Sequence, residues 1–205
     1  MKTAEEAVRF ADIARTIFAP VYPVLAGEIL GRTGIRRGDC IDIGGGTGCL
    51  GAALADMTDF LNVEIYDSSM EILSLGEKDY EGHRRITFRQ GRVEEMPYPD
   101  GSFDLAVSRG SLFFWDDRIK AMDEIYRILK PGGYACLGCG FGSKKILEEI
   151  IRLMKKRNPE WNSQRQERRE KYNAEYFRKI MEASLVPAYT IEEDEAGLWI
   201  YFKKL

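Results

Sequence analysis

The sequence predicts a doubly wound α/β fold, in which a mostly parallel sheet of about seven strands carries helices on both faces. Short apolar segments alternate five times with segments of helical periodicity, and this alternation with short connections requires parallel strands. Five of the eight residues from 44 to 51 are glycine, directly after the first apolar segment. The last two strand-like segments are separated only by the residues EDEAG, which predicts an antiparallel hairpin at the end of the sheet.

The first two elements are helices. Thr3 and Glu6 have the spacing of a capping box, so a helix is expected to begin there and to end near Thr16. Pro20 and Pro23 then interrupt the chain. The apolar residues that follow predict a second helix, which ends at the glycines near 31–34.

The central part of the chain contains the five alternations. The glycine turn leads into a helix at 47–57, Ser68 with Glu71 forms a second capping box, and Asp116 or Asp117 caps a third helix of this part. The residues KPGG at 130–133 are expected to end that helix. The strands are predicted at 40–43, 63–67, 85–89, 103–108 and 134–139.

The alternation stops after Gly142. Two helices are predicted, at 143–156 and 164–183, followed by the hairpin strands at 188–192 and 198–202. We therefore expect one domain over residues 1–205, with N-terminal helices at 1–36 that cap the site, a core at 37–142 and a C-terminal part at 143–205.

Composition excludes several classes of protein. The net charge of −3 does not favour binding to nucleic acid or to an anionic membrane surface. No apolar run approaches the roughly 18 residues that span a bilayer, and the first ten residues carry acids where a signal peptide is apolar. We expect a cytoplasmic protein with neither nucleic acid nor membrane as a partner, and both a monomer and a homodimer remain open.

The cysteines and the single histidine do not have the pattern of a metal site. Cys136 and Cys139 form one CxxC inside a strand-like segment, whereas Cys40 and Cys49 stand at opposite ends of a strand-turn unit. His83 lies at the far edge of the predicted sheet. We interpret the four cysteines as packed thiols without a metal, and His83 as a surface residue rather than a catalytic base.

The glycine turn predicts a ligand site, because glycine lets backbone amides approach a ligand without a Cβ in the way. Residues 46–51 satisfy GxGxxG, the fingerprint of dinucleotide-binding proteins. Residues 42–48 also read D-x-G-x-G-x-G, with Asp42 inside the end of the strand. The turn itself therefore leaves two ligand classes open.

The second register resembles the class I S-adenosyl-L-methionine (SAM) dependent methyltransferases. The resemblance extends over about residues 37–140 and includes VEIYDSS, GRVEEMPYPDGSFDLAVSRGSLFFW and RILKPGGY, and the terminal hairpin is typical of the same family. Within this family, the sequence resembles the enzymes of ubiquinone and menaquinone biosynthesis, which act on small molecules. It implies a Rossmann-like sheet and SAM as the co-substrate.

The resemblance also implies roles for individual residues. Asp67 would accept hydrogen bonds from the ribose hydroxyls, and Asp42 would lie near the methionine part. Arg92 departs from the family, which usually has an acid there for the adenine amino group. Glu94 or the backbone around Val93 could replace that acid, or adenine recognition is looser. The residues implied in SAM binding are Asp42, Gly44, Gly45, Gly46, Gly48, Asp67, Ser68, Arg92, Val93, Glu94, Ser108 and Arg109.

The implied reaction is transfer of a methyl group to a small-molecule acceptor by in-line displacement, with S-adenosyl-L-homocysteine (SAH) as the product (EC 2.1.1.-). Such chemistry needs positioning more than a dedicated base, and Tyr22 and Arg109 are the catalytic candidates. The residues SRGSLFFW after the fourth strand differ from the motif of DNA and glutamine methyltransferases. The aromatic residues at 113–115 either wall a substrate pocket or pack the next helix.

Residues 155–171 contain seven basic residues against three acidic ones. Such a run is usually a solvated helix face, but Arg165, Arg168 and Arg169 could also form a cationic lip that attracts an anionic acceptor. Two other functions stay open. One is a SAM-binding sensor or partner subunit without catalysis, which the Arg92 departure favours, and the other is an NAD(P) oxidoreductase.

Overall fold

A seven-stranded sheet organises the computed structural model, which describes residues 3–205. Strands β1 to β5 are parallel, and β7 is antiparallel both to β5 and to β6, so the predicted fold class is confirmed. The strand order is β3-β2-β1-β4-β5-β7-β6. The strands are Arg37–Ile43 (β1), Phe60–Asp67 (β2), Ile86–Gln90 (β3), Phe103–Arg109 (β4), Leu129–Gly138 (β5), Tyr189–Asp194 (β6) and Gly197–Lys203 (β7).

Helices cover both faces of this sheet. The Thr3–Glu6 capping box is present, and the Asp117 side chain accepts from the amide of Lys120 as a cap. The helices in the described part of the chain are Ala4–Thr16 (α1), Val21–Thr33 (α2), Cys49–Asp56 (α3), Met70–Asp79 (α4), Arg118–Ile128 (α5), Lys144–Arg157 (α6), Trp161–Lys171 (α7) and Ala174–Ala183 (α8), with a 3₁₀ turn at Leu112–Phe114.

The cap of α4 is Ser69, so the predicted capping box at Ser68 was wrong. One carboxylate oxygen of Asp67 accepts from the amide of Ser69 at 2.9 Å, which forms a local turn at the end of β2. The turn carries the chain one residue further before the helix begins. The hydroxyl of Ser69 then accepts from the amide of Ile72.

The predicted helix at 164–183 was also wrong, because this segment contains two helices. α7 ends at Lys171, and Asn173 caps α8 by accepting from the amide of Tyr176. Asparagine is a strong helix N-cap because its side chain competes with the helical hydrogen bonds of the backbone. α7 is polar after Trp161 and has no buried residue, so no apolar periodicity marks where it ends.

The KPGG segment does not directly end α5, as the sequence had suggested. The helix ends at Ile128, and Leu129 already has extended backbone angles, so 130–133 lies inside β5. Phe103 of β4 pairs with Leu129, but Leu105 pairs with Tyr134, so residues 130–133 form an irregularity in β5 at which the register shifts. The remaining predicted bounds differ from the observed ones by a few residues, chiefly because strands β1 and β2 begin earlier.

Two apolar cores hold the sheet between its helices. On one face, α2, α3 and α6 pack against side chains such as Cys40 and Val63. On the other face, α5 and α8 pack against side chains such as Ile41 and Ile200. The alternation of Cys40 and Ile41 between the cores follows from the two-residue period of a strand.

Of the remaining helices, α4 contributes Leu73 to the first core, whereas α1 and α7 lie at its periphery. α1 contacts α4 and buries Ala7, Ala11 and Ala14, whereas no residue of α7 is fully buried. No single helix within residues 3–205 has the length and apolar character to span a bilayer, although α1 and α2, which are bent by 70° at their junction, meet that test together.

The strand order reverses at β1, because β2 and β3 lie on one side of it and β4 and β5 on the other. In an open α/β sheet this reversal creates a crevice beyond the carboxyl ends of the strands, and ligands bind there. The crevice here is formed by the residues that follow β1, β2 and β4. The glycine turn therefore lies at the position where the fold provides a site.

Candidate functional site

The glycine turn connects β1 to α3 and depends on backbone conformations that only glycine adopts readily. Gly44 and Gly46 have φ values of +64° and +60°. A Cβ on Gly44 would lie 2.2 Å from Cβ of Ser111, which is far closer than atoms can approach. The amide of Gly44 donates to the carbonyl of Tyr66 at 2.7 Å and ties the turn to the end of β2.

Asp67 closes β2 and faces the turn. Its Oδ2 accepts a hydrogen bond from the amide of Gly46 at 3.0 Å, and its Oδ1 accepts from the amide of Ser69. A carboxylate has about four acceptor positions, so two remain for a ligand. The structure brings together the glycine turn and the acid that sequence reasoning placed beside it. Ser68 is exposed, and its carbonyl accepts from the side chain of Gln90.

Asp42 is the other acid beside the turn, and only 1% of its surface is exposed. Its Oδ2 accepts from the amide of Gly51 at 2.9 Å. Burial raises the pKa of Asp42 to about 7, against the opposing effect of the Gly51 amide and with a contribution from the charge of Asp67. A cation bound next to this carboxyl would stabilise its charged form.

Ser111 is a site residue that sequence reasoning missed. Its hydroxyl donates to the carbonyl of Ile43 at 3.1 Å and lies 2.6 Å from the hydroxyl of Ser108, which is fully buried. The two serines join the end of β4 to the end of β1 directly below Gly44. The sequence does contain a signal for Ser111. It follows Ser108 by three residues, and Gly110 between them has a left-handed φ of +82° that allows a turn.

Arg109 ends β4 and is held among aromatic rings. Its Nε donates to the carbonyl of Gly140 at 3.2 Å, and its guanidinium lies 4.8 Å from the ring centre of Phe18 and 4.9 Å from that of Phe141. Cation–π contacts of this kind orient the side chain. β4 pairs with β1 up to Val107 and Asp42, so Arg109 lies beside the start of the glycine turn.

Tyr22 lies in the first turn of α2, which includes Pro23 and is not broken by it. The ring is buried, and its centre is 5.7 Å from the guanidinium of Arg109. Burial raises the pKa of Tyr22, and the charge of Arg109 opposes that rise. The phenol is therefore neutral at ordinary pH and can donate a hydrogen bond, but it is a poor base.

Arg92 is exposed and forms an ion pair with Asp116 at 2.6 Å. Glu94 is buried, and its Oε1 accepts from the amides of Asp116 and Asp117 at the start of α5. Its Oε2 lies 3.5 Å from Arg92, so three groups already surround this carboxylate. Which of the sequence-derived alternatives recognises the adenine stays a prediction.

The three aromatic residues after β4 have different surroundings. Trp115 is buried in the core shared with α5, whereas the ring of Phe113 packs on Tyr172 at 5.3 Å. Phe114 is 69% exposed. Core packing therefore accounts for Trp115 and in part for Phe113, whereas Phe114 faces solvent.

His83 and the cysteines are not part of this constellation. His83 precedes β3, so it lies at the end of the sheet opposite to the glycine turn, where its Nδ1 accepts from the amide of Arg85. Cys40 and Cys136 are buried free thiols, and burial raises the pKa of Cys136 to about 12. Among the residues that the structure describes, no cluster of His, Cys, Asp or Glu has the geometry of a metal site.

Known proteins resemble this chain in both sequence and structure. Residues 41–137 match the family described as "Methyltransferase domain". A protein of Methanococcus maripaludis, whose crystal structure was assigned to the SAM-dependent methyltransferases, is 36% identical to this chain and superposes with a TM-score of 0.93. The match covers all of this chain and 95% of the other. This chain belongs to the class I SAM-dependent methyltransferase family.

Curated relatives of this methyltransferase include enzymes named for quinol and quinone substrates. The 2-methyl-6-phytyl-1,4-hydroquinone methyltransferase 2 of Oryza sativa subsp. japonica is 35% identical over 102 residues, which are half of this chain and 29% of that protein. The demethylmenaquinone methyltransferase of Chlorobaculum parvum is 35% identical over 102 residues, or 41% of its length. The match thus spans only about a third of the length of these relatives.

A more distant structure supports the fold alone. A SAM-dependent methyltransferase of Aquifex aeolicus is 14% identical and superposes with a TM-score of 0.68 over the whole of both chains. The family match and the Methanococcus maripaludis structure, not this one, confirm the resemblance derived from the sequence motifs.

Proposed function

We propose that this methyltransferase transfers a methyl group from SAM to a small-molecule acceptor and releases SAH. The observation that carries the proposal is the pairing of the Gly46 amide with the Asp67 carboxylate across the turn at the strand-order reversal. An amide-lined turn beside an acceptor-only carboxylate fits an adenosine with two free ribose hydroxyls. SAM, when bound, supplies a methyl group already activated on a sulfonium.

The residues of the site divide by the part of SAM that they would hold. Asp67 would accept from the ribose hydroxyls, and Asp42 would face the ammonium of the methionine part. The backbone around Val93, which is itself buried, would contact the adenine. The remaining contacts that we propose come from Gly44, Gly45, Gly46, Gly48, Ser68, Ser108 and Arg109.

The chain contributes to the reaction mainly by positioning. Holding an acceptor in line with the reactive methyl can remove up to about 7–11 kcal/mol of the barrier. Arg109 is fixed by Gly140 and by two aromatic rings at the edge of the crevice, so it can orient an acceptor with little motion. Tyr22 keeps its proton and can donate it to an acceptor oxygen as a hydrogen bond.

We propose that the N-terminal helices cap this site within a single domain over 1–205, as the sequence predicts. A Cβ on Gly46 would lie 3.4 Å from Cε1 of Phe10, so α1 passes directly over the turn. α2 supplies Tyr22 from the same side. The cytoplasmic location predicted from the sequence remains part of the proposal.

The acceptor that we propose has a hydroxy-aromatic ring and carries negative charge. The curated relatives are named for a hydroquinone and for demethylmenaquinone. Phe18, Phe141 and Trp161 form a cluster with ring centres 6.0–6.1 Å apart beside Arg109. Phe18 and Phe141 are buried, so the partly buried Trp161 is the ring of this cluster that an acceptor could contact. The negative charge that we propose for the acceptor is supported by the basic residues of α7, which would attract an anion.

An NAD(P) oxidoreductase is disfavoured by the position of β7, which lies antiparallel to β5 where dinucleotide-binding sheets continue in parallel. Calorimetric titration with SAM, SAH and NAD tests the choice of ligand. We expect binding of SAM and SAH and no heat from NAD. Failure of both sulfur compounds to bind at millimolar concentration would contradict the proposal.

A second experiment separates catalysis from ligand sensing. Protein incubated with a metabolite extract and SAM labelled in its methyl group should transfer the label to a small molecule. Binding of SAM without any transfer would favour a sensor or partner subunit, the alternative that Arg92 suggested.

A further inference from the structure

Arg109 and helix α7 meet near the end of β5, beside the candidate site. Arg109 donates to the carbonyl of Gly140, two residues after β5, and Trp161 at the start of α7 packs on Phe141. The same helix carries Arg165, Arg168 and Arg169, so this region contains four arginines. The charges of Arg109, Arg168 and Arg169 also lower the pKa of the Cys139 thiol, against the larger effect of its burial.

Two of the four arginines have structural partners. Arg169 forms an ion pair with Glu193 and donates to the carbonyls of Asp194 and Glu195, which attaches α7 to the β6–β7 turn. Arg168 is exposed, and its guanidinium lies 5.6 Å from the rings of both Phe113 and Phe114. The cationic lip predicted from Arg165, Arg168 and Arg169 therefore does not act as one unit.

Arg109 and Arg165 keep the ends of their guanidinium groups available. Among the residues that the structure describes, Arg109 donates through Nε to Gly140, and Arg165 donates through Nε to the side chain of Asn162 at 3.2 Å. Within residues 3–205, neither side chain forms an ion pair with a carboxylate. Both are partly buried, so salt would screen their attraction to an anion less than it does at an exposed arginine.

The aromatic cluster places these two side chains on the same region. Trp161 begins α7 and packs on Phe18 and Phe141, the two rings that also hold Arg109. Arg165 follows Trp161 by four residues, so it lies one turn further on the same face of α7. Burial and the charge of Arg169 lower the pKa of Arg165. An anion between Arg109 and Arg165 would relieve this unfavourable environment.

We propose that Arg109 and Arg165 together bind an oxyanion of the methyl acceptor, a carboxylate or a phosphate, beneath α7. The inference rests on the proposed function and specifies its substrate class. Guanidinium groups bind both oxyanions with paired N–H donors, and each charge-assisted hydrogen bond contributes about 1.5–3 kcal/mol. Arg109 lies beside the glycine turn, so an acceptor anchored there would lie close to the methyl donor.

The test uses calorimetry on the whole chain, with and without saturating SAH, and three probes. These are 4-hydroxybenzoate, phenyl phosphate and the neutral 4-hydroxybenzamide. We expect one of the two anions to bind at least ten times more tightly than the amide, and which of them does so distinguishes carboxylate from phosphate. Equal affinity for the amide, or no binding of either anion, would overturn the inference.

Variants assign that binding to the two arginines. Arg165→Met and Arg109→Met should each lower the affinity for the favoured anion at least tenfold. Arg165→Lys should lower this affinity less, because lysine keeps the charge but loses the paired donors. Arg178→Met is the control, since Arg178 is exposed on α8 and pairs only with Glu175. Circular dichroism verifies folding. Wild-type affinity in Arg165→Met would contradict the assignment.

The two proposals can fail separately. If the protein binds an anionic probe through these arginines but never binds SAM or SAH, the methyltransferase function fails and the oxyanion site stands. If SAH binds normally and the arginine variants leave probe binding unchanged, the function stands and the oxyanion site fails.

Discussion

The backbone amide of Gly46 donates a hydrogen bond of 3.0 Å to Oδ2 of Asp67. These residues are 21 positions apart, and parallel pairing of β1 with β2 brings their strand ends together. The same carboxylate accepts from Ser69 and so turns the chain into α4. One side chain thus fixes both the shape of the glycine turn and the start of the next helix, with two acceptor positions left for a ligand.

Replacing Asp67 should therefore impair the binding of SAM and SAH. Asp67→Ala removes the acceptor for the ribose hydroxyls, each bond to which contributes about 1.5–3 kcal/mol. We expect the dissociation constant for SAH, measured by calorimetry, to rise at least tenfold. Asp59→Asn, at an exposed position between α3 and β2, is the control with the same loss of charge. Unchanged SAH affinity in Asp67→Ala would remove the ribose contact from the proposal.

Asp42 should make stability depend on pH in an unusual direction. Its pKa is about 7 in the folded chain because of burial, against an ordinary value of 3.8, so the folded state keeps a proton that the unfolded state loses above pH 4. The folded state binds more protons between these values, and the free energy of unfolding falls as the pH rises through 7. Asn at position 42 can still accept from Gly51 but does not titrate.

Urea unfolding of the wild type and of Asp42→Asn at pH 5 and pH 8 measures this effect. The wild type should lose stability relative to the variant between the two pH values. A constant difference would show that the carboxyl does not titrate in this range. The affinity for SAM should rise over the same range in the wild type, because the charged carboxylate attracts the ammonium group.

Gly44 should tolerate no side chain because of Ser111. Gly44→Ala combines a left-handed φ with a Cβ 2.2 Å from Cβ of Ser111. Gly82 also has a left-handed φ, of +80°, but a Cβ on Gly82 would have no atom within 4 Å, so Gly82→Ala isolates the backbone cost of about 1–2 kcal/mol. Overpacking should add about 1–3 kcal/mol at Gly44.

A double variant tests the cause of that added cost. Ser111→Gly removes the clashing Cβ and costs about 1 kcal/mol alone, because the bond to the Ile43 carbonyl is lost. In Gly44→Ala it should recover part of the lost free energy of unfolding, as measured by urea denaturation. Strict additivity of the two single effects would contradict a direct contact.

Arg92 and Glu94 should affect different properties. Arg92→Ala removes an exposed ion pair with Asp116, and such pairs contribute at most about 1 kcal/mol, so we expect SAH affinity to change by no more than about fivefold. Glu94→Ala leaves the amides of Asp116 and Asp117 without their acceptor and should lower the melting temperature.

Glu94→Gln is the matched control, because its amide oxygen can still accept from these N–H groups. It should melt close to the wild type. If Glu94→Gln and Glu94→Ala lowered the melting temperature equally, the charge, and not the hydrogen bonds, would stabilise the start of α5.

Local patterns determined most of the fold. The Thr3–Glu6 box and the Asp117 cap act within one helical turn, so the sequence predicts both correctly. The alternation of strands and helices requires a parallel sheet, and the glycine turn together with Asp67 locates the site at its edge. Where two local solutions compete, as with Ser68 and Ser69 or at Asn173, the sequence pattern alone chose wrongly.

Long-range packing decided the rest. Several contacts join residues that are distant in the chain and meet at one edge of the sheet. Ser111 lies against Gly44, Glu94 accepts from the amide of Asp116 at the start of α5, and Arg169 donates to the β6–β7 turn. Short-range periodicity contains no information on such meetings, because it reflects only the neighbours along one helix or strand. The sequence by itself therefore determined the family, the parallel arrangement of the first five strands and the acids at the glycine turn, whereas the strand order came from the structure. Only the tertiary structure separated Arg109 and Arg165 from the other basic residues, since hydrogen-bond partners across the fold decide which charges remain available.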